Sequence, residues 1–159
     1  MRASVRLLFL IAFVSSAGCG PAVDLTWGLQ VNIVNSGWFD AGIVNGQNKL
    51  VPSVKIRVKN LSDQSLGSLQ VNATFLQASG KELDEVFKTV AGSQGLAPGA
   101  TSETVIIKSP HGYTGTEPRL YMMKNSQFVD AKVKLLAKYG SIQWVPIGEY
   151  PIERKLIVD

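Results

Sequence analysis

The chain has 159 residues, of which 45% are hydrophobic and 18% are charged, a balance that favours one folded domain over a disordered chain. Its 16 basic and 12 acidic side chains give a net charge of +4, and the lysines are spread among apolar residues instead of forming a run. The composition therefore excludes a concentrated basic nucleic-acid footprint, and we expect no nucleic-acid partner.

The first residues have the three-part order of a secretory signal. Arg2 and Arg6 supply a basic start, residues 7–14 form an unbroken apolar run, and small residues lead to Cys19. This order is typical of a signal that is removed from the mature protein. The apolar run is too short to cross a bilayer, since a spanning helix takes about 20 residues. We therefore expect a signal helix that is cleaved.

The residues before the cysteine resemble the lipobox of bacterial lipoproteins. Ser16-Ala17-Gly18-Cys19 matches that pattern, with Ser16 standing where the family usually has Leu. The resemblance implies a diacylglyceryl group on the Cys19 thiol, cleavage before Cys19 and an acyl chain such as palmitate on the new amine. Cys19 is the only cysteine, so it has no internal disulfide partner. Two or three acyl chains hold a protein stably at a membrane.

The same resemblance predicts a location. Gly20 rather than Asp follows Cys19, which by similarity to enterobacterial lipoproteins implies the outer membrane of a bacterial cell envelope, facing the periplasm. The alternative is ordinary cleavage after Ala17, because Ser15 and Ala17 also satisfy the small-x-small preference. That cleavage would leave a soluble periplasmic or secreted protein with a free thiol.

Behind this segment, apolar residues recur at every second position, the period of a strand with one buried face. The apolar members of the clearest runs are Leu25, Trp27, Leu29, Val31 and Ile33; Val54, Ile56 and Val58; Leu69, Val71, Ala73 and Phe75; and Val129, Ala131, Val133, Leu135 and Ala137. Weaker strands are predicted over residues 83–90, 101–108, 142–147 and 152–158. Residues 81–91 also show helical spacing, but their β-branched content favours a strand.

Turn residues such as Asn45-Gly46 separate these runs. About seven to nine short strands with regular turns predict an all-β fold, an immunoglobulin-like antiparallel sandwich of two sheets. The predicted division of the chain is a lipoprotein signal peptide over residues 1–18, a lipidated tether over residues 19–24 and the sandwich over residues 25–159.

Part of this region resembles the FxLYD type of immunoglobulin-like domain found in bacterial lipoproteins and cell-surface proteins. The resemblance covers residues 54–108: a strand ending in Val58-Lys59-Asn60, a strand with Phe75 followed by Gly80, and a Leu96-Ala97-Pro98-Gly99 turn. Leu76-Gln77 stand where the family tends to have Tyr-Asp. The resemblance implies a fold, with no activity attached.

The chain offers little of the usual chemistry of enzymes. One histidine and one cysteine are too few for a zinc site, and no calcium-binding Asp/Asn loop is present, so we expect no metal and no cofactor. His111 is the only histidine that could act as the base of a nucleophilic triad, and the nearby Ser109 lies in no Gly-x-Ser-x-Gly elbow. We therefore expect a protein that is not an enzyme.

Two glycine-containing stretches carry the candidate contact residues. Trp38 and Phe39 follow Gly37 in what the pattern indicates is a connection, where they either plug the core or form an exposed binding patch. His111 and Tyr113 lie in a predicted loop between strands, which is either structural or used for recognition.

The function expected from these features is that of a membrane-tethered domain. It binds another envelope protein or serves as an accessory in an envelope complex, and the membrane itself is a partner through the lipid on Cys19. The alternative is a domain that binds or senses a small molecule or glycan, with Trp38, Phe39, His111 and Tyr113 lining the site.

Overall fold

The computed structural model describes residues 21–157, which form two sheets around one core. Its elements are α1 (Leu25–Gly28), β1 (Leu29–Val44), β2 (Gln47–Asn60), β3 (Gln70–Gln77), β4 (Glu82–Thr89), β5 (Val105–Lys108), β6 (Tyr113–Gly115), α2 (Arg119–Met122), β7 (Ala131–Lys138), β8 (Val145–Ile152) and β9 (Leu156–Ile157). One sheet has the order β5-β2-β1-β9, with β6 also pairing with β2, and the other has the order β4-β3-β7-β8.

The predicted two-sheet antiparallel sandwich is confirmed, with a parallel pairing of β1 and β9 at one edge. The predicted signal helix and Cys19 lie outside the described residues. Both helices of residues 21–157 have four residues, and none in that range has the length and apolarity needed to traverse a bilayer.

β1 and β2 form the long hairpin on which the first sheet is built. Asn45 and Gly46 make its two-residue turn with φ angles of 50° and 76°, and left-handed angles at both positions are what a type I′ turn requires. The pairing of the two strands runs from this turn to the pair formed by Leu29 and Asn60, with irregularities between Asp40 and Ile43 and between Ile33 and Asn35. The predicted turn is confirmed, and β2 begins at Gln47, well before the predicted apolar run.

A β-bulge in β1 decides which of its side chains face the core. Val34 has no partner on β2 and is 52% exposed, while its neighbours Ile33 and Asn35 are both paired. An extra residue in one strand reverses the inward and outward alternation. Odd-numbered positions therefore face the core before the bulge, and the even-numbered Ser36 and Trp38 are buried after it.

The predicted first strand begins too early. The Asp24 carboxylate accepts a hydrogen bond from Thr26 N at 2.9 Å, which caps a single helical turn in place of extended chain. The turn buries Leu25 completely and leaves Trp27 80% exposed. The prediction that Leu25 and Trp27 share one strand face is therefore wrong.

The second sheet supplies the other face of the core and follows the predicted alternation. Its buried apolar side chains are Leu69, Val71, Ala73 and Phe75 in and beside β3, and Ala131, Val133, Leu135 and Ala137 in β7. They share one core with Val54, Ile56 and Val58 of β2. In β7 the neighbouring Lys134 is exposed, so the predicted inward and outward faces of this strand are confirmed. Val129 precedes the strand and is 40% exposed.

The weaker predicted strands are present with different limits. Residues 82–89 form β4 and not a helix, as predicted. The predicted strands over residues 101–108, 142–147 and 152–158 correspond to β5, β8 and β9, whose ends are set by backbone pairing with β2, β7 and β1. The predicted loop that contains Tyr113 includes the short strand β6, because these residues pair with the start of β2.

Val133→Asp should bury a carboxylate with no partner in the core. We expect the free energy of unfolding to fall by about 3 kcal/mol or more. The matched change on the adjacent exposed position, Lys134→Thr, should cost less than about 0.5 kcal/mol. Denaturant midpoints of the two variants measure the difference, and equal losses would contradict the assigned faces of β7.

Candidate functional site

The prediction that the four contact residues lie in two loops is not confirmed. Trp38 and Phe39 lie in β1, where pairing with β2 and β9 continues through both positions, so the prediction that they occupy a connection is wrong. Since neighbours in a strand point to opposite faces, the two rings separate. Trp38 is buried in the core at 2% exposure.

Three of the four residues nevertheless line one small cavity. Trp38, His111 and Tyr113 share a space of about 110 Å³ with Gln77, Leu83, Gly112 and Val129. Pockets for drug-sized ligands have volumes of about 300–1,000 Å³. The cavity therefore has room only for a ligand of a few heavy atoms or for one side chain of a partner.

The aromatic rings beside this cavity hold the segment around α2 against β1. Trp38 packs edge-on against Phe128 with 4.5 Å between ring centroids, and Tyr113 lies 4.8 Å from the same ring. Tyr113 Oη donates a hydrogen bond to Gln127 O at 2.6 Å. The Trp38 indole N–H is buried without a hydrogen-bond partner in the described chain. Trp38 therefore packs in the core, which is one of the two alternatives predicted for it.

Phe39 takes no part in the cavity. It lies on the other face of β1, where Lys108 Nζ is 3.3 Å from its ring centroid. This distance is typical of a cation–π contact. Phe39 and β5 therefore belong to a separate surface of the first sheet.

A serine, a histidine and an aspartate meet next to the cavity, but not in the order of a catalytic triad. Asp84 Oδ2 accepts a hydrogen bond from Ser109 Oγ at 3.0 Å and lies 3.2 Å from His111 Nδ1. In a triad the imidazole stands between the hydroxyl and the carboxylate, whereas here both groups contact the same carboxylate oxygen. The buried Ser109 Oγ also lies 2.8 Å from His111 O.

This cluster joins β4 to the chain that follows β5 and has the geometry of a structural contact. Sequence reasoning missed Asp84 because it lies on a different strand, 25 positions from Ser109. Within residues 21–157 no group of three or more His, Cys, Asp or Glu side chains could hold a metal ion.

A larger concavity lies between α2 and β9, and we call it the α2–β9 groove. It has a volume of about 620 Å³ and is lined by Leu120, Met123, Lys124, Arg154, Lys155 and Leu156. The lining joins three apolar side chains to three cations. Two of these cations form ion pairs with acids outside the lining, Arg154 with Asp130 and Lys155 with Glu153, whereas Lys124 lies 5.8 Å from the ring centroid of Tyr121. Leu120 is 59% exposed and its neighbour Tyr121 is 65% exposed. The sequence pattern gave no signal here, because residues 116–130 have neither strand nor helix periodicity.

Polar contacts fix the groove to the long hairpin. Arg119 at the start of α2 forms an ion pair with Asp40 of β1, and the hydrogen bond from Arg119 lowers the pKa of the Asp40 carboxyl below its usual value. The contribution of this pair to stability is therefore present at neutral pH and is lost as acid protonates Asp40. On the other side, Arg154 Nη2 donates to Phe128 O at 2.9 Å and Lys155 O accepts from Trp38 N at 2.8 Å.

No protein-family model matches this sequence, and no curated protein matches it. Among solved structures the chain is similar to the structural-genomics target SoR45, with a TM-score of 0.47 and 15% identity over 81% of this chain and 89% of that one. It is similar to the putative ApaA protein of Bordetella pertussis, with a TM-score of 0.41 and 17% identity over 79% of this chain and 93% of that one.

A similarity to β-glucuronidase of Bacteroides uniformis has a TM-score of 0.44 and 14% identity. It covers 78% of this chain but 12% of the enzyme. These similarities carry no conclusion about activity.

Trp38→Ala should remove the packing against Phe128 and leave a cavity in the core. We expect the free energy of unfolding to fall by about 3–5 kcal/mol, with a large drop in melting temperature. His111→Ala removes a side chain that is 74% exposed and should cost less than about 1 kcal/mol. Thermal unfolding of both variants tests this, and an unchanged melting temperature for Trp38→Ala would contradict the structural role.

Proposed function

We propose that this chain is a lipid-anchored envelope protein, not an enzyme, that binds a partner protein through the α2–β9 groove. The observation that carries the proposal is the composition of the groove, in which the exposed Leu120 stands beside Lys124, Arg154 and Lys155. An apolar surface bordered by charge is typical of protein-binding sites.

The groove lies far from the beginning of the described chain. Gln64 Nε2 donates to Pro21 O at 3.0 Å, which holds Pro21 near the end of the hairpin where Leu29 pairs with Asn60. The groove instead adjoins Trp38, which pairs with Leu156. Nine strand residues rise roughly 30 Å between these two points of β1. A protein held at its N-terminus would therefore present the groove away from its anchor.

The charges of the groove favour a particular partner chemistry. A segment with large apolar side chains and nearby Asp or Glu would place its apolar groups on the exposed Leu120 and the half-buried Leu156 and its acids near Lys124. Opposite charges across an interface raise the rate and the specificity of association. The segment that fits best is therefore acidic and apolar, and short enough for a groove of about 620 Å³.

Two observations support the proposal that the chain is not an enzyme. Ser109 and His111 share one oxygen of Asp84, so no imidazole stands between the hydroxyl and the carboxylate as a triad requires. The larger of the two concavities described above has cations and apolar groups but no carboxylate among its lining residues. Such a lining can bind another molecule but offers no carboxylate for acid–base catalysis.

A second candidate function is the binding of a very small ligand in the cavity shared by Trp38, His111 and Tyr113. The convergence of these residues favours it, and so does the buried indole N–H of Trp38, which lacks a partner. The volume of about 110 Å³ is too small for a glycan ring with its hydroxyl groups. A ligand bound there would not contact Leu120, so substitutions in the groove would leave its binding unchanged.

The anchor itself is tested by the mass of the protein purified from its native host. We expect the mature chain to begin at Cys19 and to carry two or three acyl chains, because Ser16-Ala17-Gly18-Cys19 resembles a lipobox. Cys19→Ser should abolish the added mass and release the protein from the membrane fraction. An unmodified chain that begins at Gly18 would contradict the anchor.

The groove is tested by placing a photo-crosslinking amino acid at position 120 and expressing the protein in its host. We expect a discrete crosslinked partner, and we expect the added substitution Lys124→Glu to reduce its yield severalfold, because it would repel an acidic segment. The matched control is the same amino acid at Val34, which is also exposed but lies on the β1 bulge.

Equal yields from positions 120 and 34 would contradict specific binding in the groove. An unchanged yield with Lys124→Glu would contradict the acidic character of the partner.

A further inference from the structure

We infer that the end of the sandwich next to the N-terminus lies on the lipid surface, with Trp27 and Leu61 in the interfacial layer of the bilayer. This inference rests on the proposed lipid anchor at Cys19. We call this end the tether end, and it consists of residues 21–28, 61–68, 91–100 and 139–143.

Backbone contacts join these four segments into one surface. Leu61 N donates to Gly28 O at 2.8 Å, and Gly140 N donates to Gly67 O at 2.9 Å. Leu66 and Leu96 exchange hydrogen bonds of 3.1 Å in both directions. The tether end is therefore a set of loops held to one another, and it can meet a surface as a unit.

Hydrogen bonds fasten the start of the described chain to this end. Pro21 O accepts a hydrogen bond from Gln64 Nε2 at 3.0 Å, and Val23 N donates to Tyr139 Oη at 2.5 Å. The side chain of Leu25 is fully buried. Cys19 precedes Pro21 by two residues, which span at most about 7 Å when extended. Acyl chains on Cys19 would therefore bring the tether end to the headgroups.

The tether end is almost free of charge. Its four segments contain two acidic residues, Asp24 and Asp63, and no lysine or arginine. The lysines that flank these segments in the sequence, Lys59 and Lys138, belong to β2 and β7. A surface that rests on lipid loses the water bound to its polar groups. This desolvation costs less free energy for an uncharged surface than for a charged one.

Two large apolar side chains project from this uncharged end. Trp27 is 80% exposed, the highest value among the exposed large hydrophobic residues, and Leu61 is 52% exposed. The Asp24 cap creates the exposure of Trp27, because it turns the chain just before β1. Tryptophan is enriched where membranes meet water, since its ring is apolar and its N–H can bond to headgroups. Lipid is therefore the occupant that fits this surface.

Fluorescence quenching tests the contact. The full protein, purified with its lipid, is reconstituted into vesicles of phosphatidylethanolamine and phosphatidylglycerol, with or without brominated acyl chains that quench nearby tryptophan. We expect quenching in the unchanged protein, and we expect Trp27→Phe to remove most of it. Trp38→Phe changes a tryptophan that is buried in the core, so it is the matched control and should leave the quenching in place. High salt should leave most of the quenching in place, because the four segments of the tether end contain no lysine or arginine.

Flotation of the vesicles separates this inference from the anchor on which it rests. Protein that does not float with the vesicles would contradict the lipid anchor, and with it the proposed function. Protein that floats but shows the same quenching with and without Trp27 would overturn the membrane contact alone. A tether end occupied by a second copy or by another protein would leave Trp27 unquenched in these vesicles, and this result would also overturn it.

Discussion

The pairing register of β1 and β2 is the constraint on which the rest of the structure depends. The strands of this hairpin have 16 and 14 residues, and β5, β6 and β9 all add to it. Because strand side chains alternate, a slip of one residue would exchange every inward group for an outward one. The Asn45-Gly46 turn fixes the register at one end, and two irregularities shift it along β1, one between Asp40 and Ile43 and one at the unpaired Val34. Without the unpaired Val34, Leu29 and Trp38 would not both face the core.

The sequence was sufficient for the fold class because most strands obey simple alternation. Val133 and its neighbours in β7 could be assigned to faces directly, and so could Val54 and its neighbours in β2. The site was harder to predict for physical reasons. A bulge has no recognisable signature in the sequence, so the faces of β1 on which Trp38 and Phe39 lie could not be predicted. The contact between Asp84 and His111 depends on two distant strands, and the α2–β9 groove is built from a segment without periodicity.

The two ends of the sandwich differ in a way that suits the proposed role of an anchored binding protein. The tether end has tightly joined loops, two acidic residues and exposed Trp27 and Leu61. The opposite end has the ion pair between Arg119 and Asp40, which fixes α2, and a groove with three cations. The core between them is continuous, so the two surfaces are held at a fixed separation. In this account, lipid contact orients the protein and the groove acts at a distance from the bilayer.

The most direct test of this division is the distance of each end from the membrane. Cys19 is the only cysteine and would be acylated, so a cysteine introduced at position 94 or at position 47 can be labelled specifically with a donor dye. The membrane lipids then carry the acceptor dye. β1 spans roughly 50 Å for its 16 residues. The account predicts strong energy transfer from position 94 and weak transfer from position 47, beside the Asn45-Gly46 turn. Equal transfer from both positions, or stronger transfer from position 47, would contradict it.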